Sequence, residues 1–191
     1  MDLKVLNDCL KDVFKKYKIS KIKQNTFLGI FSIKTFNKLD LTNIRNSCLI
    51  LFIDYLNNKL GHFVCIFKIH NDLIFVDSFG MSNSFYKNNI LNKYTPFKQY
   101  LSKRLQSSVT TACGAYVVFF INTILKCNYD LNKFAVIVIQ YFPKQNNYIQ
   151  NDKIIFRYIV QNTRISYKNC QKYFCNNKFA IKYKKCLKSI C

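Results

Sequence analysis

Residues 61–80 read GHFVCIFKIHNDLIFVDSFG, and the fold turns on this stretch. Two apolar runs, Phe63 to Ile69 and Leu73 to Asp77, flank a polar interval at His70, Asn71 and Asp72, which predicts a β-hairpin. A turn centred between Ile69 and His70 sets His62 opposite Asp77, Val64 opposite Phe75 and Ile66 opposite Leu73. Apolar residues then match, and the two polar ones meet at the open end of the hairpin. A turn centred on Asn71 and Asp72 offsets His62 from Asp77 by four residues. The sequence permits either register.

Outward from the hairpin, Asp2 to Lys18 places Leu3, Leu6, Leu10, Val13, Phe14 and Tyr17 at steps of three and four, the pattern of an amphipathic helix. Asn46 to Tyr55 is apolar enough to be a buried segment. Ser108 to Lys126 opens with Ser and Thr residues suited to capping and continues as an apolar run; its length favours a helix, and its Val and Ile content leaves a strand open. Phe134 to Tyr141 reads as a buried strand and Asp152 to Gln161 as a short amphipathic helix. No Pro/Gly/Ser linker divides the chain, so 1–191 is expected to be one domain. A basic, cysteine-containing segment from about residue 152 should pack on it or extend from it.

The composition sets outer bounds. There are 191 residues, 30 Lys and Arg against 9 Asp and Glu, a net charge of +21, and 50% hydrophobic residues. That is enough apolar surface for a core, and the 4 Gly and 2 Pro exclude collagen-like or low-complexity architecture. Lys, Asn, Ile, Tyr and Phe abound while Trp is absent, as AT-rich coding produces, so part of the charge reflects codon usage. No apolar run reaches the roughly 20 residues of a membrane span, and the amino-terminal residues lack the pattern of a secretory leader. Nine cysteines without such a leader point to a reducing compartment, not a disulfide scaffold.

With so few glycines, each marks a backbone requirement. Gly61 precedes His62, Gly80 follows Asp77-Ser78-Phe79, and Gly114 follows Cys113. His, Asp and Cys are the groups thiol proteolysis needs: a thiolate nucleophile, an imidazole that takes and returns its proton, and a carboxylate that orients the imidazole. Cys113 falls where the apolar helix should begin, so open amides and the helix dipole lower its pKa. Gln106, seven residues upstream, supplies an amide that can join the Cys113 N–H in stabilising an oxyanion; Gln99 is the alternative donor. Taken singly, a Cys in an apolar run is an inert small hydrophobe, and His62 and Asp77 are ordinary strand residues. Their joint order is what points to catalysis.

Gly61-His62-Phe63, Phe75-Val76-Asp77-Ser78-Phe79-Gly80, Gln106 and Thr111-Ala112-Cys113-Gly114-Ala115-Tyr116 together resemble the motifs of the adenovirus-type maturation proteases, the adenain family, relatives of the SUMO and ubiquitin-like-protein proteases. Thr26 to Phe31 resembles a further adenain segment, while the chain after Lys126 matches loosely. The resemblance implies an α+β, papain-related fold, with a mixed β-sheet packed against a central helix that starts at the nucleophile. It implies a monomeric cysteine endopeptidase with no cofactor in its chemistry, cleaving viral capsid or other structural precursors after small residues such as Gly. It would act in the virus factory or nucleus and be packaged in the virion, the source being a virophage, Polinton-like element or other small double-stranded DNA virus. Activation by DNA or a viral peptide is also implied. Two departures stand out: Phe63 replaces the family's usual Trp, keeping a ring able to stack on the histidine, and no Cys lies between Cys65 and Cys113 to carry a disulfide-linked activator. The alternatives are a SUMO or ubiquitin-like-protein protease and a basic structural nucleic-acid-binding protein.

The last segment holds two further patterns. Cys170, Cys175, Cys186 and Cys191 form two pairs compatible with a four-thiolate zinc site, though without zinc-knuckle glycines; the plainer reading is reduced thiols. From Asp152 onward there are ten Lys and Arg against that one acid. Lys178, Lys182, Lys184 and Lys185, interleaved with aromatics such as Phe179 and Tyr183, are candidates for non-specific contact with a DNA backbone, the plainer reading being a solvated basic face.

Overall fold

The chain begins with helix α1 (Leu3–Lys16), whose Leu6, Cys9, Leu10, Val13 and Phe14 form the buried stripe expected from their spacing. The structure, a computed structural model, describes residues 3–54, 61–81, 97–108, 110–144, 146–166 and 168–169. A short helix α2 (Lys21–Asn25) leads to strand β1 (Phe27–Ser32), the one-turn helix α3 (Ile33–Phe36) and strand β2 (Asn46–Asp54). The hairpin follows as β3 (Gly61–Ile69) and β4 (Asp72–Val76), and then β5 (Phe97–Tyr100). Three helices complete the described fold: α4 (Cys113–Lys126), α5 (Leu131–Tyr141) and α6 (Tyr148–Asn162).

The protein is therefore a mixed α+β fold with one five-stranded sheet in the order β1-β2-β3-β4-β5. The outer pairs, β1 with β2 and β4 with β5, are parallel; the inner pairs are antiparallel. Both faces of the sheet are covered, which is why β2, β3 and β4 read as nearly continuous apolar runs. On one face Cys48, Ile50, Phe63, Cys65, Phe67, Ile74 and Val76 join the core built with α1, α4, α5 and α6. On the other, Leu49, Leu51, Ile53, Val64, Ile66, Leu73 and Phe75 pack with Phe36 and Leu41. Helix α4 is buried from Cys113 through Leu125 and packs on β3, α1, α5 and α6.

Four expectations are corrected. The hairpin takes neither weighed register: Ile69 pairs with Asp72, Ile66 with Phe75 and Cys65 with Val76, so the turn consists of His70 and Asn71. His70 adopts φ +51°, which lets a two-residue loop close and match the strand twist. His62 pairs with Ile53 of β2 instead of with Asp77. Second, Phe134 to Tyr141 belongs to a helix. Asp130 caps α5 by accepting from the Asn132 and Lys133 N–H groups, and Phe134 and Val138 are buried four residues apart, so packing overrides the β propensity of its Val and Ile residues. Third, α4 begins at Cys113 as expected, but no Ser or Thr caps it; its N-cap is Ala112, which makes no side-chain hydrogen bond to the helix. Fourth, α6 starts at Tyr148, four residues before the expected Asp152, with Asn147 capping by accepting from the Gln150 N–H.

Helix α6 buries Ile155, Phe156, Tyr158 and Ile159 against α1 and α4, so the segment from about 152 begins inside the core. Cys170, Cys175, Cys186, Cys191, Lys178, Lys182, Lys184 and Lys185 lie outside the described residues. Among the described residues no helix is long and apolar enough to cross a membrane.

Candidate active site

His62, Asp77, Gln106 and Cys113 are each buried, at 2%, 1%, 1% and 8% exposure. His62 enters as the second residue of β3, Asp77 from just beyond β4, and Cys113 as the first residue of α4. The His62 Nε2 lies 2.7 Å from Asp77 Oδ1, and the imidazole is also hydrogen-bonded to the Cys113 thiol. With Nε2 engaged by the carboxylate, Nδ1 is the nitrogen left for sulfur. The described geometry thus brings three of the four sequence candidates into one bonded chain.

Side-chain alternation explains why the observed register still joins His62 to Asp77. Extending the β3–β4 ladder by one step places Asp77 opposite Val64, two residues from His62 on the same face. A two-residue slip leaves faces unchanged, and diagonal neighbours remain within reach. The carboxylate is held there by its own turn: Oδ1 accepts from the Phe79 N–H at 2.9 Å and Oδ2 from the Met81 N–H at 3.3 Å. Gly80 completes the turn at φ +67°, and a Cβ there would sit 2.7 Å from the backbone of Lys103 and Arg104. At Gly61, a Cβ would meet the Phe52 ring at 1.8 Å.

Burial alone would depress the His62 pKa; the hydrogen bonds that the ring donates to Asp77 and Cys113, with their negative charge, outweigh it and raise the imidazole to about 10. Burial pushes the Cys113 thiol up, yet the His62 hydrogen bond and charge, helped by the Phe63 N–H, bring it below the ordinary thiol value. Both shifts favour a proton on the imidazole over one on the sulfur. Other thiols show the contrast: burial raises Cys9 and Cys48 to about 12, and raises Cys65 and Cys127 as well. Ala112, the N-cap, makes no side-chain hydrogen bond to the first amides of α4, so the positive end of the helix dipole opens where Cys113 stands.

Gln106 is oriented by its neighbours. Its Nε2 donates to the Thr110 carbonyl at 3.1 Å, and its Oε1 accepts from the Ser78 hydroxyl at 2.7 Å. A carbonyl only accepts, so the amide nitrogen must face Thr110, and its second hydrogen remains for another acceptor. Gln99, the alternative donor, is paired with Phe75 in the β4–β5 ladder. His70 is exposed at the hairpin turn and donates its N–H to Asn46 Oδ1.

The ring against His62 is Phe79, with centroids 4.9 Å apart. Phe63 was expected to stack there; strand alternation sends its side chain to the other face, where it meets Phe52 at 5.0 Å. Arg104 continues the stack, with its guanidinium 5.5 Å from the Phe79 centroid and 4.8 Å from that of Tyr148, while its Nε donates to the Gln106 carbonyl at 2.6 Å. Sequence reading missed Phe79, Arg104 and also Asp152, which accepts from the Ser107 N–H, the Thr110 hydroxyl and the Tyr116 hydroxyl. The available signal was that Asp152 is the sole acid after Asp130.

Chemically, this arrangement offers a sulfur nucleophile, an adjacent proton carrier and helix-terminal amides, the requirements of acyl transfer through a thioester. No family model matches the sequence, and no curated protein matches it.

Proposed function

We propose that the chain is a cysteine endopeptidase of the adenain type, with Cys113 as nucleophile, His62 as general base and acid, Asp77 as the orienting carboxylate and Gln106 as oxyanion donor. The observation that carries this reading is the contrast among thiols: Cys113 lies at a helix start against a carboxylate-bound imidazole and is lowered in pKa, while four other buried thiols are raised. The mixed sheet packed on a helix that begins at the nucleophile supports the adenain-like, papain-related version of the fold.

Attack by the Cys113 thiolate on a peptide carbonyl places negative charge on oxygen, which the Cys113 N–H and the free Gln106 Nε2 hydrogen receive. His62 then gives its proton to the departing amine, and water assisted by His62 releases the acyl group. Because Cys113 is 8% exposed and His62 2%, a substrate must present a narrow backbone, which favours Gly or another small residue at the scissile bond. Viral structural precursors are the proposed substrates; DNA or a viral peptide is the proposed activator.

The deciding experiment incubates purified protein and Cys113→Ala with a capsid precursor and with ubiquitin-like fusions. Cleavage of the precursor by the unsubstituted chain alone supports maturation. Cleavage of the fusions instead selects the SUMO or ubiquitin-like-protein protease reading. Equal cleavage by Cys113→Ala overturns the assignment.

A further inference from the structure

The chain has nine acidic residues, every one an aspartate, and Asp77 and Asp152 are each 1% exposed. Asp77 is occupied with His62. Asp152, on α6, faces the segment just before Cys113. The Ser107 N–H approaches Oδ1 and Oδ2 at 3.4 and 3.3 Å, the Thr110 hydroxyl donates to Oδ2 at 2.6 Å, and the Tyr116 hydroxyl lies 3.0 Å from Oδ1. The neighbouring Asn151 donates through Nδ2 to the Leu105 carbonyl at 3.1 Å. Thr110, held by its hydroxyl, is the residue whose carbonyl fixes the Gln106 amide nitrogen.

The opposite side of the same segment is fastened to the turn carrying Asp77. The Ser78 carbonyl accepts the Leu105 and Gln106 N–H groups at 2.8 and 2.9 Å. Leu105, Gln106, Ser107 and Thr110 are therefore gripped between the Asp77 turn and the first turns of α6, and Gln106 lies between the two grips. Burial of a carboxylate is costly unless hydrogen bonds offset it, and those that do so here all come from the segment before Cys113 and the first turn of α4. Burial indeed raises Asp152 to about 7, against the bonds from Thr110, Tyr116 and Ser107 and the charge of Arg104.

We propose that Asp152 is a positioning residue for the oxyanion side of the site, acting through Thr110 and Ser107 to present the Gln106 amide to the acyl group attacked by Cys113. This rests on the reading of Cys113 as nucleophile and adds to it a dependence on α6. The partners of Asp152 are Ser107, Thr110 and Tyr116 and not the sulfur or the imidazole, so its removal should leave the Cys113–His62 pair intact while slowing turnover.

The test compares the unsubstituted protein, Asp152→Asn, Gln106→Ala, their double variant and Cys113→Ala on a quenched-fluorescence peptide with an internal Gly-Gly bond, alongside iodoacetamide alkylation of Cys113. Expected is a fall in kcat of about tenfold or more for Asp152→Asn, bounded by the roughly 10²- to 10³-fold loss of an oxyanion donor, with KM and alkylation rate unchanged. The double variant should be no slower than Gln106→Ala, because one residue works through the other. Unchanged kcat in Asp152→Asn, multiplicative losses in the double variant, or a parallel fall in alkylation overturns the inference. Should Asp152→Asn not fold, Thr110→Ser and Thr110→Val decide: the first is expected to keep kcat and the second to lose it, and equal rates overturn the proposal. Turnover retained in Cys113→Ala overturns the underlying reading instead.

Discussion

His62 and Asp77 are joined at 2.7 Å although neither stands opposite the other in a strand ladder. The bond depends on the turn that follows β4, where Asp77 is held by the Phe79 and Met81 amides. His62→Ala should lower kcat/KM about as far as Cys113→Ala, because nucleophile and base work as a unit. Asp77→Asn keeps one acceptor oxygen for the Phe79 N–H and the imidazole, and should retain roughly 10- to 100-fold more activity than His62→Ala. Steady-state kinetics on one peptide substrate check the order, and Asp77→Asn falling to the level of His62→Ala would contradict it.

The coupling of Cys113 to His62 predicts a pH signature. The Cys113 pKa is lowered, so its alkylation by iodoacetamide should stay fast as pH falls below the ordinary thiol range and drop only through that lowered value. Without His62, burial dominates and the thiol pKa rises. Alkylation of His62→Ala near pH 6.5 should then be slower by about tenfold for every unit of pKa regained. Mass spectrometry of the Cys113 peptide reads the rate.

Gly80→Ala should destabilise the fold by about 1–3 kcal/mol, the cost of placing a residue with a Cβ in the left-handed region, because Gly80 has φ +67° and abuts the Lys103 and Arg104 backbone. The substitution also pushes apart the Asp77 turn and the segment bearing Gln106. Denaturant unfolding gives the first effect. The second should appear as a lower kcat at temperatures where the variant is fully folded.

Asp152 makes a pH prediction for stability of unusual sign. Its pKa is raised by burial to about 7 in the fold from the ordinary carboxylate value of 3.8, with Thr110, Tyr116, the Ser107 N–H and Arg104 facing it. Between those limits the folded chain binds more protons than the unfolded one, so this group's contribution improves as pH falls from about 7 towards 4. Comparing denaturation midpoints at pH 7.5 and pH 5, Asp152→Asn should gain less from acidification than the unsubstituted protein. An equal gain would place the proton elsewhere.

Much of this site was legible because its chemistry is carried by rare residues. Two histidines and four glycines in 191 residues left few ways to combine a base with tight turns, and Cys113 could be placed at a helix start from the apolar run behind it. The hairpin was legible as a hairpin but not in register, since alternating apolar residues tolerate a slip of two and the choice was made by the His70 backbone. Helix α5 was misread because Val136, Ile137, Val138 and Ile139 favour strands locally, while the Asp130 cap and the packing of Phe134 and Val138 act against them. Asp152 was hidden by distance: it reaches Ser107 across 45 residues of sequence, a relation no local pattern encodes.

Cys113 is both the reactive residue and the first link of a helix buried from Cys113 through Leu125. Such a nucleophile cannot be adjusted separately from the interior of the protein, because any tilt of its helix disturbs β3, α1, α5 and α6 together. The groups that serve the sulfur arrive by another route, Asp77 on the turn at residues 77–81 and Gln106 on the segment fastened to that turn through the Ser78 carbonyl. The reactive sulfur is thus anchored in the architecture of the core, while the groups around it are set by buried turns that interlock with one another.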